Sequence, residues 1–310
     1  MAPLLIDDAA RARLVDRFGA ELAEPWCDAL PDLVARLTAR WGLTVREALP
    51  GNTGRTLLCT GPGGDLRVLK LTPDPEVARL ELTGLRAWAG RSRVVQVLDA
   101  DLDAHAILLE GLVPGTELTG RAIPWAQLGE LLDQLHSVVP SGVVPSGGDP
   151  SGAGPRGEFR RLAEGIEFIF DLSERRRLES AAAAHMSADV LAKGRERALA
   201  LATSGPVTLI HGDLHPANVL DAGPDRGIVA IDPRPGLGDP SLDAVDFVFV
   251  PMAAGGTIDD GIAALAPHVT GFDAERVRAW CVAMAPLVAL APLRRGEPTP
   301  FTDAVLELAR

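Results

Sequence analysis

Residues 211–220 read HGDLHPANVL, and AID follows at 230–232. His211, Asp213, His215 and Asn218 thus share one short stretch, with Asp232 isolated just downstream. Two carboxylates and an amide oxygen, with no cysteine among them, form an oxygen-only donor set. Such a set suits a hard cation such as Mg²⁺, which takes a few protein oxygens and completes its shell with phosphate and water. The flanks say how these residues could meet. VTLI at 207–210, VL at 219–220 and IVAI at 228–231 are short apolar runs, and DAGPDRG at 221–227 is turn chemistry. The expected order is strand, polar loop, strand, hairpin turn, strand. That order returns Asp232 to the side of the loop holding Asp213 and Asn218.

A second set of polar residues lies earlier. Asn52-Thr53 sits in a Gly-flanked turn, Lys70 near the end of the largely apolar strand LRVLKL at 66–71, and Glu81 on the helix expected at 75–88. A strand ammonium held by a helix carboxylate can grip nucleotide phosphates, and a Gly-rich turn adds backbone N–H groups and a hydroxyl. Glu76, also early on that helix, is the alternative partner for Lys70. Each feature alone is commonplace. Their order is that of an ATP-dependent phosphoryl-transfer site: Gly turn, strand Lys, helix Glu, a connection near Glu110, HxD…N, then Asp.

Around these motifs, residues 7–41 carry leucines at three- and four-residue spacing, with interruptions expected at Pro25 and Pro31. Strands are expected at 45–49, 56–60, 66–71, 94–98 and 106–110, and mainly helices beyond Gly115. The Pro-, Gly- and Ser-rich stretch 140–157 reads as a mobile surface loop. The 310 residues are 47% hydrophobic, enough for a sizeable core. A net charge of −12 argues against nucleic acid, which a basic face would recognise. Cys27, Cys59 and Cys281 have no CxxC spacing, which suggests neither disulfides nor zinc. Acids at the amino terminus do not suit a signal peptide, and the uncharged run 279–293 is short for a bilayer. The expectation is a cytoplasmic protein without a membrane partner.

The sequence resembles the aminoglycoside phosphotransferase family of kinases, in particular its streptomycin 6-phosphotransferase and hydroxyurea phosphotransferase branch. The likeness runs from about Trp26 through the Asp232 segment and more loosely beyond. It rests on ALPDLVA at 29–35 with Arg40-Trp41, LKL at 69–71 with GLRAW at 84–88, ILLE at 107–110, and HGDLHPAN at 211–218 with IDPRPGLGDP at 231–240. The resemblance implies a bilobal, protein-kinase-like α+β fold: residues 1–112 as a helical extension and small β-rich lobe, 113–310 as a larger helical lobe, with the active site between them. It implies ATP and Mg²⁺, with Asp213 as catalytic base, Asn218 and Asp232 on the metal, Lys70 on the phosphates and Glu81 positioning Lys70. Glu110-Gly-Leu112 would receive the adenine edge. His211 is expected to shape the loop, and His215 would touch substrate or phosphate or remain structural. Arg234 replaces the acidic or lysine residue of the branch, and would stabilise γ-phosphate charge or pair with Asp239. Asp239 is an N-cap candidate and Asp246 the expected anchor of the loop. The expected acceptor is a hydroxyl of a streptomycin-like aminoglycoside, with hydroxyurea or a related small molecule as the alternative. A non-catalytic nucleotide-binding module is the reading from a different class.

Overall fold

The computed structural model describes residues 5–51, 53–138, 159–296 and 298–310. Asn52 and the loop expected at 140–157 lie outside the described residues. The chain divides into two compact units, Met1–Thr116 with Leu220–Ile231, and Glu117–Val219 with Asp232–Arg310.

The first unit opens with α1 (Asp8–Phe18) and α2 (Ala20–Trp41). Asp7 caps α1 by accepting the Ala10 N–H at 2.7 Å. The interruptions expected at the prolines do not occur: Pro25 and Pro31 lie inside α2, and the break falls at Gly19, whose φ is 83°. An interior proline costs about 3 kcal/mol through a lost N–H and a ring clash. Burial of Ala23, Cys27, Leu30, Val34 and Leu37 along one face of α2 offsets it, at about 1.5–3 kcal/mol for each large apolar side chain.

That face covers an antiparallel sheet of β1 (Thr44–Leu49), β2 (Arg55–Thr60), β3 (Leu66–Leu71), β4 (Val97–Asp101) and β5 (Ala106–Glu110). The strand order is β1-β2-β3-β5-β4. Leu57, Cys59, Leu69, Leu71, Ala106 and Leu108 meet Leu30, Val34 and Leu37 in one core. Because side chains alternate along a strand, burying Leu69 and Leu71 on the α2 side sends Lys70 to the other face. The helix α3 (Pro75–Ala87) begins with Asp74 as cap and Pro75 in its first turn. It buries Ala78, Glu81, Leu82 and Leu85, the i, i+3, i+4, i+7 stripe of a helix lying on a sheet.

After the two-residue β6 (Thr116–Glu117) the second unit runs through α4 (Trp125–His136), β7 (Arg160–Arg161), α5 (Leu162–Leu178), α6 (Ala188–Ser204) and β8 (Thr208–Ile210). Its core is built on a later helix, α9 (Ala274–Arg294), which meets α5, α6 and a final helix. Gly194 lets α6 approach α9: a Cβ there would lie 2.8 Å from the Ala283 carbonyl oxygen. The uncharged run of the sequence is thus part of a 21-residue helix that is long and apolar enough to cross a membrane by length and composition. Half of its most apolar window is buried within the protein, where it serves as a core helix.

The hairpin of β9 (Val219–Asp221) and β10 (Ile228–Ala230) belongs to the first unit from Leu220 onward. Its turn is closed by the Ala222 N–H on the Gly227 carbonyl at 2.7 Å and the Gly223 N–H on Asp221 Oδ1 at 2.9 Å. The hairpin also explains why β4 starts three residues later than the expected 94–98 strand. Val94 bridges Ala230, and the Val95 N–H donates to the Ala230 carbonyl at 3.0 Å, so the first two valines serve β10 instead. The chain then re-enters the second unit through β11 (Gly236–Gly238), α7 (Val245–Val248), α8 (Ile258–Leu265), α9 and α10 (Pro300–Ala309). β11 lies between β7, parallel, and β8, antiparallel, with Gly236 opposite Ile210.

Candidate active site

In the first unit, Lys70 Nζ donates to Glu81 Oε1 at 2.5 Å, and the side chains are only 16% and 10% exposed. The strand alternation that turned Lys70 away from α2 and the buried stripe of α3 together produce this pair. Glu76 instead binds Arg79 through both carboxylate oxygens at 2.8 Å. Thr53 accepts the Thr72 hydroxyl on its carbonyl at 2.7 Å, which ties the Gly turn to the end of β3.

Glu110 uses its side chain structurally. Oε1 accepts the Gln96 N–H at 2.7 Å, and Oε2 accepts Arg226 Nη1 at 2.6 Å. Arg226, in the β9–β10 turn, also donates to the carbonyls of Ser92 at 2.8 Å and Val94 at 3.0 Å. It ties the hairpin to the 92–110 segment of the same unit, and its position in a turn gives no local signal of that work. Two residues on, the Leu112 N–H has no hydrogen-bond partner among the described residues.

In the second unit the polar loop leaves β8 at His211 and is closed by the chain entering β11. The Arg234 N–H donates to the His211 carbonyl at 2.8 Å. Gly212, at φ 76°, would place a Cβ 2.3 Å from the Arg234 carbonyl oxygen, so only glycine permits this approach. His211 is 1% exposed, and its Nδ1 accepts the Asp213 N–H at 3.4 Å.

The anchor of the loop is Asp243, not Asp246. Asp243 Oδ2 accepts the His211 N–H at 2.8 Å, Oδ1 accepts the Gly212 N–H at 2.9 Å, and His136 Nε2 lies 2.9 Å from Oδ2. Burial pushes this carboxyl up, but the His136 hydrogen bond, the charges of His136 and His211 and the Gly212 amide hold it below the ordinary carboxylate range. Asp246, one helical turn on, has an exposed side chain. Crowding by surrounding protein and the charges of Asp213 and Asp243 push it up to about 6, against the pull of His215.

Asp239 is the cap of its 3-10 turn, with Oδ1 accepting the Ser241 N–H at 3.0 Å. Its other oxygen takes Arg276 and, at 2.5 Å, the Trp280 indole N–H. Arg234 pairs elsewhere: its Nε lies 3.0 Å from Asp213 Oδ2, with side chains 50% and 38% exposed. Asn218 donates Nδ2 to the Asp213 carbonyl at 2.8 Å, which leaves its Oδ1 without a hydrogen-bond partner among the described residues. Asp232 is exposed and sits at φ 59°, a left-handed conformation that non-glycine residues adopt rarely and often at functional positions. His215 heads the 3-10 turn 216–218 and is partly exposed.

The geometry offers a half-exposed carboxylate braced at its backbone, a neighbouring guanidinium, a spare amide oxygen and an exposed aspartate. Among the described residues no group of three or more His, Cys, Asp or Glu could hold a metal. A cation on Asn218 Oδ1 and Asp232 would therefore need phosphate and water to complete its shell, as magnesium characteristically does.

Residues 44–280 match the model of the phosphotransferase enzyme family. The chain is 34% identical over 274 residues to hydroxyurea phosphotransferase of Kitasatospora aureofaciens, covering 85% of this chain and 73% of that protein. It is 30% identical over 237 residues to streptomycin 6-kinase of Streptomyces griseus, covering 75% and 71%. Among solved structures, the choline kinase of Streptococcus pneumoniae has the same fold, with a TM-score of 0.60 at 14% identity over 90% of this chain and 97% of that one. The family match runs through both the lysine strand and the polar loop, and the chain belongs to the phosphotransferase enzyme family, with its protein-kinase-like α+β fold.

Proposed function

We propose that the chain transfers the γ-phosphate of ATP to a hydroxyl of a small polar molecule. The observation that carries this reading is Asn218. Its nitrogen braces the backbone of Asp213, and its oxygen is left over for a metal, beside a carboxylate that solvent and substrate can reach. In this reading Lys70 binds the α- and β-phosphates, and Glu81 fixes its rotamer. Thr53, with Asn52, lines the phosphate turn. The Glu110 to Leu112 backbone takes the adenine edge, an assignment supported by the unused Leu112 N–H. Asn218 and Asp232 hold Mg²⁺, which when bound supplies the positive charge that phosphoryl transfer needs on the phosphate oxygens. Asp213 orients the acceptor hydroxyl and accepts its proton. His215 and Arg234 are the groups assigned to contact acceptor or phosphate.

The acceptor expected from the sequence is a streptomycin-like aminoglycoside, and hydroxyurea, the substrate named for one relative, is the alternative. Either would make the chain a cytoplasmic resistance enzyme. The test is ADP release from Mg-ATP by the purified protein with streptomycin, other aminoglycosides, amino sugars or hydroxyurea. Many turnovers per site with one acceptor and a slow leak without it are expected, because water is poorly positioned where a larger acceptor should bind. ATP binding without turnover on any acceptor would favour a nucleotide-binding module instead.

A further inference from the structure

The Arg234 guanidinium is held where it must meet any molecule that reaches Asp213. Its backbone cannot drift: it lies between Pro233 and Pro235, its N–H is fixed on His211, and its carbonyl fills the space a Cβ at Gly212 would need. From that fixed origin Nε donates to Asp213 Oδ2 at 3.0 Å. Among the described residues its two Nη groups make no hydrogen bond. An arginine in this state is always charged and presents a planar fork of unused donors.

We propose that Arg234 is a specificity-determining residue, selecting an acceptor whose reactive hydroxyl is flanked by a hydrogen-bond-accepting oxygen and rejecting one whose hydroxyl is flanked by a cation. The proposal rests on the reading of Asp213 as the carboxylate that receives the acceptor hydroxyl. A hydroxyl in hydrogen-bond reach of Asp213 has its neighbouring atoms within a few ångströms of the guanidinium. A carbonyl or second hydroxyl there finds donors waiting. An ammonium or guanidinium finds a like charge, and it gains Asp213 only by displacing Arg234, which stays tethered beside it by its fixed backbone. Asp246, exposed on α7, alters the overall charge that an acceptor meets. It does not release Asp213 from Arg234, so the local preference stands. Hydroxyurea, neutral and with a carbonyl beside its N-hydroxyl, fits this preference. Streptomycin, whose hydroxylated ring carries guanidinium groups, does not. This reverses the order of acceptors expected from the sequence.

The test compares wild type, Arg234→Gln and Arg234→Lys, each loaded with magnesium and a non-hydrolysable ATP analogue. Streptomycin affinity is measured by calorimetry, and KM and kcat for hydroxyurea with Mg-ATP. Arg234→Gln should bind streptomycin roughly tenfold more tightly than wild type, as expected when one close like charge is removed. It should also raise the hydroxyurea KM. Arg234→Lys keeps the charge and should leave streptomycin binding weak while recovering part of the hydroxyurea KM. Streptomycin affinity that is unchanged or weaker in Arg234→Gln overturns the proposal, whatever the turnover. Tightened streptomycin binding in a protein that turns over no acceptor would keep the selection by Arg234 and remove the kinase reading instead.

Discussion

Two ion pairs lie among the residues singled out by their chemistry, one in each unit, and they are built differently. Lys70–Glu81 is 16% and 10% exposed, whereas Arg234–Asp213 is 50% and 38% exposed. In the first, both charges have given up most of their water, so the contact between them is costly to break and the geometry is fixed before any ligand arrives. In the second, water still reaches both groups, the attraction is screened, and a partner can be exchanged at small cost. In the roles proposed above, a rigid clamp suits phosphates that are the same in every turnover. An exchangeable pair suits an acceptor that must enter, react and leave. Substitution at each pair tests this contrast.

The largest effect is expected on chemistry. Asp213→Asn should lower kcat by about 10²–10⁴-fold, the usual value of a positioned base. ATP affinity should stay nearly unchanged, because in the proposed role the side chain acts on the acceptor. Single-turnover kinetics alongside nucleotide titration separate the two, and turnover within a few-fold of wild type would move the catalytic role elsewhere.

Next comes the buried pair. Glu81→Ala removes the carboxylate 2.5 Å from the Lys70 ammonium in a largely dry place, which should destabilise the protein by about 3 kcal/mol. Urea unfolding reads that loss, and the KM for ATP should rise because Lys70 no longer has a fixed rotamer. A Glu81→Ala protein as stable as wild type would mean that the pair is as exchangeable as the one in the other unit.

Asp243 and Asp246 repeat the contrast three residues apart. Asp243→Ala would strand the buried His211 amide and remove the acceptor of the Gly212 amide, at about 2 kcal/mol by the usual penalty for unmade hydrogen bonds. The native state holds this carboxyl below its unfolded value, so its contribution is present above about pH 4 and is lost as pH falls further. Asp246 has the opposite sign. Its folded pKa is raised to about 6, so ionising it costs the folded state stability that is intact below about pH 4 and is fully lost once pH has risen through 6. Asp246→Asn should therefore melt higher than wild type at pH 7 and at the same temperature near pH 4. Thermal melts across that range that run parallel would remove the crowding inferred for Asp246.

How far the sequence reveals these arrangements depends on the range of the interaction. β3 and β5 are legible to the residue, because alternating or continuous apolar runs between turns leave little choice. The same alternation sends Lys70 away from Leu69 and Leu71. The α1–α2 break at Gly19 was displaced onto two prolines, because local propensity cannot weigh a proline against the burial of a whole helix face. β11 is Gly-Leu-Gly between prolines and has no strand signal of its own; it forms because β8 and β7 lie on either side. Asp243 acts on residues 31 and 32 positions back. An anchor of that reach leaves no period in the sequence, and its neighbour Asp246 is as plausible by spacing alone.

The smallest effect expected is on stability at the exposed pair. Arg234→Gln removes one ion pair whose members are each more than a third exposed, and such pairs contribute roughly 0–1 kcal/mol. The backbone contacts of position 234 do not involve its side chain, so the N–H on His211 and the close approach to Gly212 survive the substitution. The melting temperature should move by no more than a few degrees, and less at high salt, where screening has already weakened the pair. Acceptor kinetics should change by far more than stability does. A cooperative loss of several kcal/mol in Arg234→Gln would show that the pair braces the loop as Asp243 does, and the distinction between a fixed clamp and an exchangeable one would then fail at its second member.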